Sequence, residues 1–182
     1  VDELVIIDTG STDDSPSIAA RSADVFEVWT GCNDSEGRIQ DFSAARNHAL
    51  EKATGDVVCW FDGDDVVRGA DQLRKLASEA SARSAGQAWA YLCPYEYERD
   101  AAGRVVTMQW RERMVYPRAG WEWRGPVHEG LLGKAGTVPT YISTDLVVVQ
   151  HELAKSTKPR DPARNLRILE AHVRRVGEAD PR

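Results

Sequence analysis

The sequence predicts an α/β domain with a mixed, mostly parallel sheet flanked by helices and an antiparallel portion in its second half. Short apolar runs alternate with helix-like segments over the first 65 residues, which is typical of parallel β-α-β units. Acidic clusters follow two of these runs, and two β-rich segments joined by a turn follow residue 87. At 182 residues and 42% hydrophobic, the chain is long enough for one globular domain.

The first elements form a β-α-β pattern. Leu4–Ile7 is a short apolar run that ends at the polar segment Asp8–Asp13, as expected for a buried parallel strand. Residues 13–22 predict a helix with Pro16 near its first turn. Residues 24–28 predict the second strand.

A second helix and strand follow a polar loop. Residues 42–53 predict the helix, with Asp41 or Ser43 as its N-cap and Gly55 just after its end. Residues 57–61 predict a buried strand that leads into an acidic cluster. The alternation of strands and helices favours a doubly wound sheet.

The pattern changes after residue 69. A helix is predicted from Gly69 to about Ser84, and its apolar face consists of Leu73, Leu76, Ala77 and Ala80. Residues 88–99 and 104–115 predict strands, joined by a hairpin turn at residues 100–103. Antiparallel pairing is therefore expected here.

The last third contains one ambiguous segment. Residues 121–129 lack a clear period, and we interpret them as a functional loop or a short helix. Residues 146–149 predict a strand that ends at Gln150 and His151. Residues 161–176 predict an amphipathic helix, with the following side chains facing inward: Leu166, Leu169, Val173 and Val176.

Charge and cysteine content restrict the function classes. Residues 1–65 hold 15 acidic and four basic side chains, a balance that repels nucleic acid. No apolar run is long enough to cross a bilayer. The three cysteines lack C-x-x-C spacing, so we expect buried reduced thiols and a cytoplasmic protein.

The acidic cluster Asp62-x-Asp64-Asp65 follows an apolar strand at the end where α/β sheets bind ligands. Three carboxylates this close repel one another unless a cation or protons neutralise them. Mg²⁺ or Mn²⁺ on such carboxylates usually completes its shell with phosphate oxygens and water. We therefore expect a metal and a phosphorylated ligand, with a solvated acidic turn as the alternative. Asp8, after another parallel strand, either approaches the same crevice or caps its own loop.

Four motifs occur in a fixed order: Val5-Ile6-Ile7-Asp8-Thr9-Gly10-Ser11-Thr12-Asp13, Asp41-Phe42-Ser43-Ala44-Ala45-Arg46-Asn47, Ala53-Thr54-Gly55-Asp56 and Trp60-Phe61-Asp62-Gly63-Asp64-Asp65. In this order they resemble the motifs of family 2 glycosyltransferases. The resemblance continues through Trp123-Arg124-Gly125-Pro126-Val127-His128-Glu129 and Gln150-His151-Glu152. It implies a GT-A-like fold, a nucleotide-sugar donor and inversion at the anomeric carbon. It also implies that a first β-α unit is missing before Val1.

Site residues follow from the resemblance motif by motif. Asp62 and Asp64 correspond to the DxD element that holds Mn²⁺ or Mg²⁺, with Asp64 as the direct ligand and Asp62 as a second metal contact. His151 matches the C-terminal metal or diphosphate contact. Asp8 is expected at the nucleoside and Arg46 near the nucleotide.

Asp62 and Asp65 are also expected to contact the nucleotide sugar. Thr9 stands where many relatives have a second Asp, which leaves the nucleoside contacts open.

The predicted general base is Glu129, which lies in the Gly- and Pro-containing segment on the expected acceptor side. His128 is the alternative base, and pairing with Arg124 is the structural alternative for Glu129. Trp121 and Trp123 either stack on an acceptor sugar or pack in the core.

The predicted domain spans residues 1–155, with a nucleotide-binding part at 1–68 and an acceptor-side part at 69–155, followed by a helix in 156–182. The predicted function is a metal-dependent inverting glycosyltransferase. Its donor is a nucleotide sugar, with a UDP-sugar favoured, and its acceptor is a saccharide, a lipid-linked sugar or a protein.

Two alternatives remain. One is a nucleotide-sugar-binding module without turnover. The other is a haloacid-dehalogenase-type phosphatase, because Asp62-Gly63-Asp64-Asp65-Val66 also fits its D-x-D-x-(T/V) motif. That chemistry needs a later acidic pair at a strand end, and no apolar strand after residue 66 ends in paired aspartates.

Overall fold

The computed structural model describes residues 1–83, 87–151 and 161–179. The chain forms two compact units. The first unit comprises Val1–Thr54, Glu122–Leu132 and Pro159–Arg182, and the second comprises Gly55–Trp121 and Gly133–Lys158.

The first unit begins with the predicted β-α-β arrangement. Strand β1 (Val5–Asp8) pairs in parallel with β2 (Val25–Val28), so that Asp8 lies opposite Val28. Helix α1 (Ser15–Ala20) connects the two strands and has a proline in its first turn, where the missing N–H costs no helical hydrogen bond. The sequence prediction for this region is confirmed.

Helix α2 (Phe42–Lys52) follows the polar loop. Its N-cap is Asp41, whose side chain accepts a hydrogen bond of 3.0 Å from the backbone N–H of Ala44. The Ser43 hydroxyl donates to the same carboxylate at 2.6 Å. Of the two predicted caps, Asp41 is therefore the N-cap, and Ser43 supports it.

The remaining strands of the chain are β3 Val58–Cys59, β4 Asp65–Arg68, β5 Trp89–Arg99, β6 Val105–Tyr116, β7 Trp121–Arg124, β8 Gly130–Gly133, β9 Thr140–Ser143 and β10 Val148–His151. In the second unit, six of them form a mixed sheet with the strand order β3-β6-β5-β10-β4, and β9 pairs with β5 beside this path. Strands β7 and β8 pair with each other.

The expected α/β class is confirmed, but a mostly parallel sheet is not. In the six-stranded sheet, β3–β6, β5–β6 and β4–β10 are antiparallel, whereas β5–β9 and β5–β10 are parallel. The reason is the long hairpin of β5 and β6, which supplies the central strands of the sheet. A hairpin imposes antiparallel pairing on its own two strands.

The core of the second unit lies between the sheet and helix α3 (Leu73–Arg83), which follows a 3-10 turn at Ala70–Gln72. Leu76 and Ala80 are buried there with Tyr91, Cys93, Met114 and Val147. Leu73 and Ala77 pack against this cluster, so the predicted apolar face is confirmed.

All three cysteines are free thiols, and burial raises the pKa of Cys59 to about 12.

Strands β4 and β10 form a short antiparallel ladder that places His151 opposite Asp65. At the other end of this ladder, Gly69 has a φ of +75°, and a Cβ there would lie 2.0 Å from the carbonyl oxygen of Leu146. Any side chain at this position would therefore displace the backbone.

The interpretation of residues 121–129 as a loop or short helix is wrong for their first part. Residues Trp121–Arg124 form strand β7, paired with β8. Trp121 and Trp123 are 0% and 6% exposed, because alternate residues of β7 face the interior. Their burial favours packing over stacking on an acceptor sugar.

Helix α4 (Arg164–Ala179) forms, but its predicted inward face is wrong. The four apolar side chains of that face are 42–67% exposed: Leu166, Leu169, Val173 and Val176. Ile168, on a neighbouring face, is buried at 1%, and the Arg164 guanidinium lies 5.2 Å from the Phe42 ring centroid. The helix therefore packs through Ile168 and its neighbours, which the apolar periodicity alone did not indicate.

Among the helices in the described ranges, none is long and apolar enough to span a membrane.

Candidate functional site

The acidic cluster forms a closed turn between β3 and β4. The backbone N–H of Asp65 donates to the carbonyl oxygen of Asp62 at 3.0 Å. In return, the backbone N–H of Asp62 donates to Oδ2 of Asp65 at 3.0 Å. These two bonds fix the Asp65 side chain at the first residue of β4.

Asp64, Asp65 and His151 come together at this turn. One potential ligand atom from each lies within 4.8 Å of the other two. His151 Nδ1 is 3.7 Å from Oδ1 of Asp64 and 3.9 Å from Oδ1 of Asp65. The Tyr97 ring stacks on the His151 imidazole at a centroid distance of 5.4 Å. The sequence predicted Asp64 and His151 as metal contacts, and the structure brings them together with Asp65; Asp62 lies outside this group.

The Asp64-Asp65-His151 group has the properties of a cation site. The Asp65 side chain is 0% exposed, and its Oδ1 is buried with no hydrogen-bond partner, as is Nδ1 of His151. Buried polar atoms are normally satisfied, so two unpartnered polar atoms at one place favour a bound ligand there. Two carboxylates and an imidazole form a donor set that Mn²⁺ accepts, and the carboxylates also suit Mg²⁺. The residues present therefore fit a divalent cation.

Arg113 is the site residue that the sequence analysis missed. Its NH1 lies 3.2 Å from Oδ2 of Asp65, and its guanidinium carbon lies 4.9 Å from the Trp60 ring centroid and 4.4 Å from that of Tyr95. Burial, followed by the nearby Asp65 carboxylate, raises the pKa of Tyr95. Arg113 is therefore the cation that balances the buried Asp65.

The first unit holds a second cluster of predicted site residues. Arg46 Nε donates to Oε1 of Glu129 at 2.6 Å, and the two side chains are 26% and 13% exposed. The Arg46 guanidinium carbon lies 5.0 Å from the Trp123 ring centroid. The side chain of Asn47 accepts from the Trp123 backbone N–H at 2.8 Å and donates to its carbonyl at 2.9 Å. These bonds join helix α2 to strand β7 beside the Arg46–Glu129 pair.

The alternative partner of Glu129 is engaged elsewhere. Arg124 pairs with Glu122, whereas Glu129 pairs with Arg46. His128 is exposed, has a φ of 54°, and its Nε2 lies 3.4 Å from Nδ2 of Asn165. A positive φ is uncommon for a residue with a side chain and marks a locally constrained backbone.

Asp8 lies at the carboxyl end of β1, as predicted. Its Oδ1 accepts hydrogen bonds from the backbone N–H groups of Gly10 and Ser11, each at 2.8 Å. Burial raises the pKa of Asp8, but the bonds from Ser11 and Gly10 outweigh it and hold the pKa below its usual value. Asp8 therefore caps its own loop, and its expected contact with a nucleoside stays a prediction.

The four ordered motifs, the capped β1 loop and the acidic turn lie within a segment that matches a known family. The profile of the family described as Glycosyl transferase family 2 matches residues 1–144. The chain belongs to this family. The resemblance and the enzyme class predicted from the sequence are thereby confirmed, and membership implies the GT-A fold.

Two curated proteins share local similarity with this glycosyltransferase domain. An uncharacterized glycosyltransferase of Haemophilus influenzae is 36% identical over 81 residues, which cover 40% of this chain and 28% of that protein. A TPR repeat-containing protein of Synechococcus elongatus is 43% identical over 67 residues, covering 36% of this chain and 14% of that protein. The matched segments span less than a third of the length of either relative.

Proposed function

We propose that this chain is a metal-dependent, inverting glycosyltransferase that moves a sugar from a nucleotide-diphosphate donor to an acceptor hydroxyl. One observation carries the proposal beyond family membership: the Asp64-Asp65-His151 group, in which buried Oδ1 of Asp65 and Nδ1 of His151 have no hydrogen-bond partner. Family membership favours glycosyl transfer over the phosphatase alternative.

The proposed cation ligands are Asp64, Asp65 and His151. Asp62, the other expected metal contact, supports the site through its backbone N–H, which binds Oδ2 of Asp65, and its side chain is assigned to the nucleotide sugar. When bound, Mn²⁺ or Mg²⁺ would offset the charge that builds up on the departing diphosphate.

The proposed base is Glu129, which would take the proton of the acceptor hydroxyl during attack. Direct attack by the acceptor on the anomeric carbon inverts its configuration, so one base is enough. Arg46 holds Glu129 in place through the 2.6 Å ion pair. The roles of Asp8 at the nucleoside and Arg46 near the nucleotide are further parts of the proposal.

The proposed donor is a UDP-sugar, and the proposed acceptor is a saccharide, a lipid-linked sugar or a protein. A thermal-stability screen of nucleotide sugars, with and without Mn²⁺, would identify the donor, since a bound ligand raises the melting temperature by mass action.

The proposed location is a reducing compartment such as the cytoplasm, which the free thiols of Cys32, Cys59 and Cys93 support.

The metal assignment is tested by calorimetric titration of UDP into the full chain with Mn²⁺ or with EDTA. We expect binding only with Mn²⁺, because the diphosphate otherwise meets carboxylates. Asp64→Asn should weaken Mn²⁺-dependent binding by ~100-fold or more, whereas Asp71→Asn, at an exposed aspartate of the 3-10 turn, should not. Equal UDP affinity in EDTA would remove the metal from the mechanism.

Product analysis separates the three functions considered for the chain. A transferase supplied with donor alone releases a little free sugar by reaction with water. A phosphatase releases inorganic phosphate, and a binding module releases neither. Release of phosphate without sugar would contradict the proposal.

A further inference from the structure

Strand β6 carries a β-bulge beside the acidic turn. In the β5–β6 ladder, Tyr91 lies opposite Met114 and Leu92 lies opposite Glu112, so Arg113 is the extra residue between two paired positions. A bulge turns the side chain of its extra residue away from the regular alternation. As a result Arg113, Met114 and Val115 are buried in succession.

The bulge directs Arg113 into a clamp formed by two aromatic rings. Its guanidinium carbon lies 4.9 Å from the Trp60 ring centroid and 4.4 Å from that of Tyr95. Its NH1 also donates to the Trp60 carbonyl at 3.4 Å, while Nε is buried without a partner. Because hydrogen bonds do not hold the whole guanidinium, the two rings fix its plane.

The clamped guanidinium determines which oxygen of Asp65 faces Asp64 and His151. Oδ2 of Asp65 is occupied by NH1 of Arg113 at 3.2 Å and by the Asp62 N–H at 3.0 Å. Oδ1 therefore points toward His151, whose Nδ1 is 3.9 Å away. If Oδ2 were released, the carboxylate could rotate and Oδ1 would lose its fixed direction.

We propose that Arg113 is a positioning residue of the cation site: it holds Oδ2 of Asp65 so that Oδ1 completes the ligand set with Asp64 and His151. The inference rests on the proposed cation site and assigns a residue that acts through Asp65. A lysine cannot replace it, since an ammonium lacks the planar face that the two rings grip.

The test measures Mn²⁺ binding to the full chain by the electron paramagnetic resonance signal of the free ion. Arg113→Lys should raise the Mn²⁺ dissociation constant by ~10-fold or more, as loss of a residue that orients a metal ligand usually does. The matched control is Arg104→Lys, because Arg104 pairs with Asp100 at 2.7 Å on the same hairpin, 80% exposed. The control should bind Mn²⁺ within about twofold of the original chain.

A double variant separates positioning from general damage. With Asp65→Asn already present, Arg113→Lys should change Mn²⁺ affinity by less than about twofold, because coupled residues are not additive. If Arg113→Lys does not fold, Tyr95→Leu keeps the arginine but uncovers one face of it, and should also weaken Mn²⁺ binding. Unchanged binding in that variant would overturn the proposal.

The outcomes distinguish this inference from the proposed function. Mn²⁺ binding that Asp64→Asn removes but Arg113→Lys leaves intact overturns the role of Arg113 alone. An equal loss with and without Asp65→Asn also overturns it. If the original chain does not bind Mn²⁺, both the cation site and the role of Arg113 are wrong.

Discussion

Each unit contains an arginine–carboxylate pair in which the guanidinium lies over a tryptophan ring. In the second unit, Arg113 lies over Trp60 and pairs with Asp65, and these two charged side chains are 6% and 0% exposed. In the first unit, Arg46 lies over Trp123 and pairs with Glu129, at 26% and 13%. The two pairs use the same chemical groups but differ in their access to water.

This difference fits the different tasks that we propose for the two carboxylates. Asp65 cannot reach solvent, so its direction is fixed by the protein, as a metal ligand requires. The Arg46–Glu129 pair is partly exposed, so water can replace either partner when the ion pair opens. A general base needs that freedom, because it must turn to the hydroxyl whose proton it accepts.

The largest expected effect is on stability, from removing each arginine in turn. Arg113→Met leaves the buried Asp65 without its partner, which should lower the free energy of unfolding by roughly 3–5 kcal/mol. Arg46→Met leaves a more accessible Glu129, and the cost should be about 1 kcal/mol. Urea unfolding of both variants measures the difference, and equal losses would show that burial does not distinguish the two pairs.

The second effect is on turnover and tests the role given to the more accessible carboxylate. Glu129→Gln keeps shape and hydrogen bonding but removes basicity, so turnover should fall by ~100-fold with donor affinity nearly unchanged. Steady-state kinetics with the donor found in the screen gives both quantities.

His128→Ala is the matched control for this experiment, because His128 is the neighbouring candidate base and is exposed. It should retain most of the activity. If Glu129→Gln retains near-normal turnover while His128→Ala loses it, the base is His128, and Glu129 serves to hold Arg46.

The smallest expected effect is on the stability contributed by Asp8, a carboxylate that is held by backbone N–H groups and not by an arginine. Asp8 has a pKa below its ordinary value of 3.8, so its contribution to stability is present above that pH and is lost as the pH falls through the lowered pKa. Asp8→Asn should cost about 1 kcal/mol at pH 7 and progressively less at lower pH. Urea unfolding at pH 7 and pH 3 checks this, and a constant difference would mean that the Asp8 charge is not involved.

Local sequence patterns predicted the elements that depend on local interactions. Strand β1, helix α2 with its Asp41 cap and the β5–β6 hairpin follow from apolar runs, capping residues and a turn. Strand β4 was missed because it pairs with β10, about 80 residues later in the chain, and no local signal specifies such a partner. The buried face of α4 was wrong because its most apolar stripe is not the side that packs.

The candidate site was predictable to a similar extent. Asp64 was expected because it belongs to an acidic cluster after an apolar run, and His151 because of the resemblance to family 2 glycosyltransferases. The place of Asp65 in the group depends on the antiparallel register of β4 with β10, which the sequence did not reveal. Arg113 looks like one charge among several in a strand, and only the bulge makes it a buried partner of Asp65.

Gly69, at the far end of the β4–β10 ladder, makes the Asp64-Asp65-His151 group sensitive to a substitution outside the group itself. Gly69 passes so close to the Leu146 carbonyl that any Cβ would force the two strands apart or out of step. A slip of one residue would send His151 to the opposite face of the sheet from Asp65. Variants designed to alter the proposed cation site should therefore leave Gly69 untouched, even though it contributes no ligand.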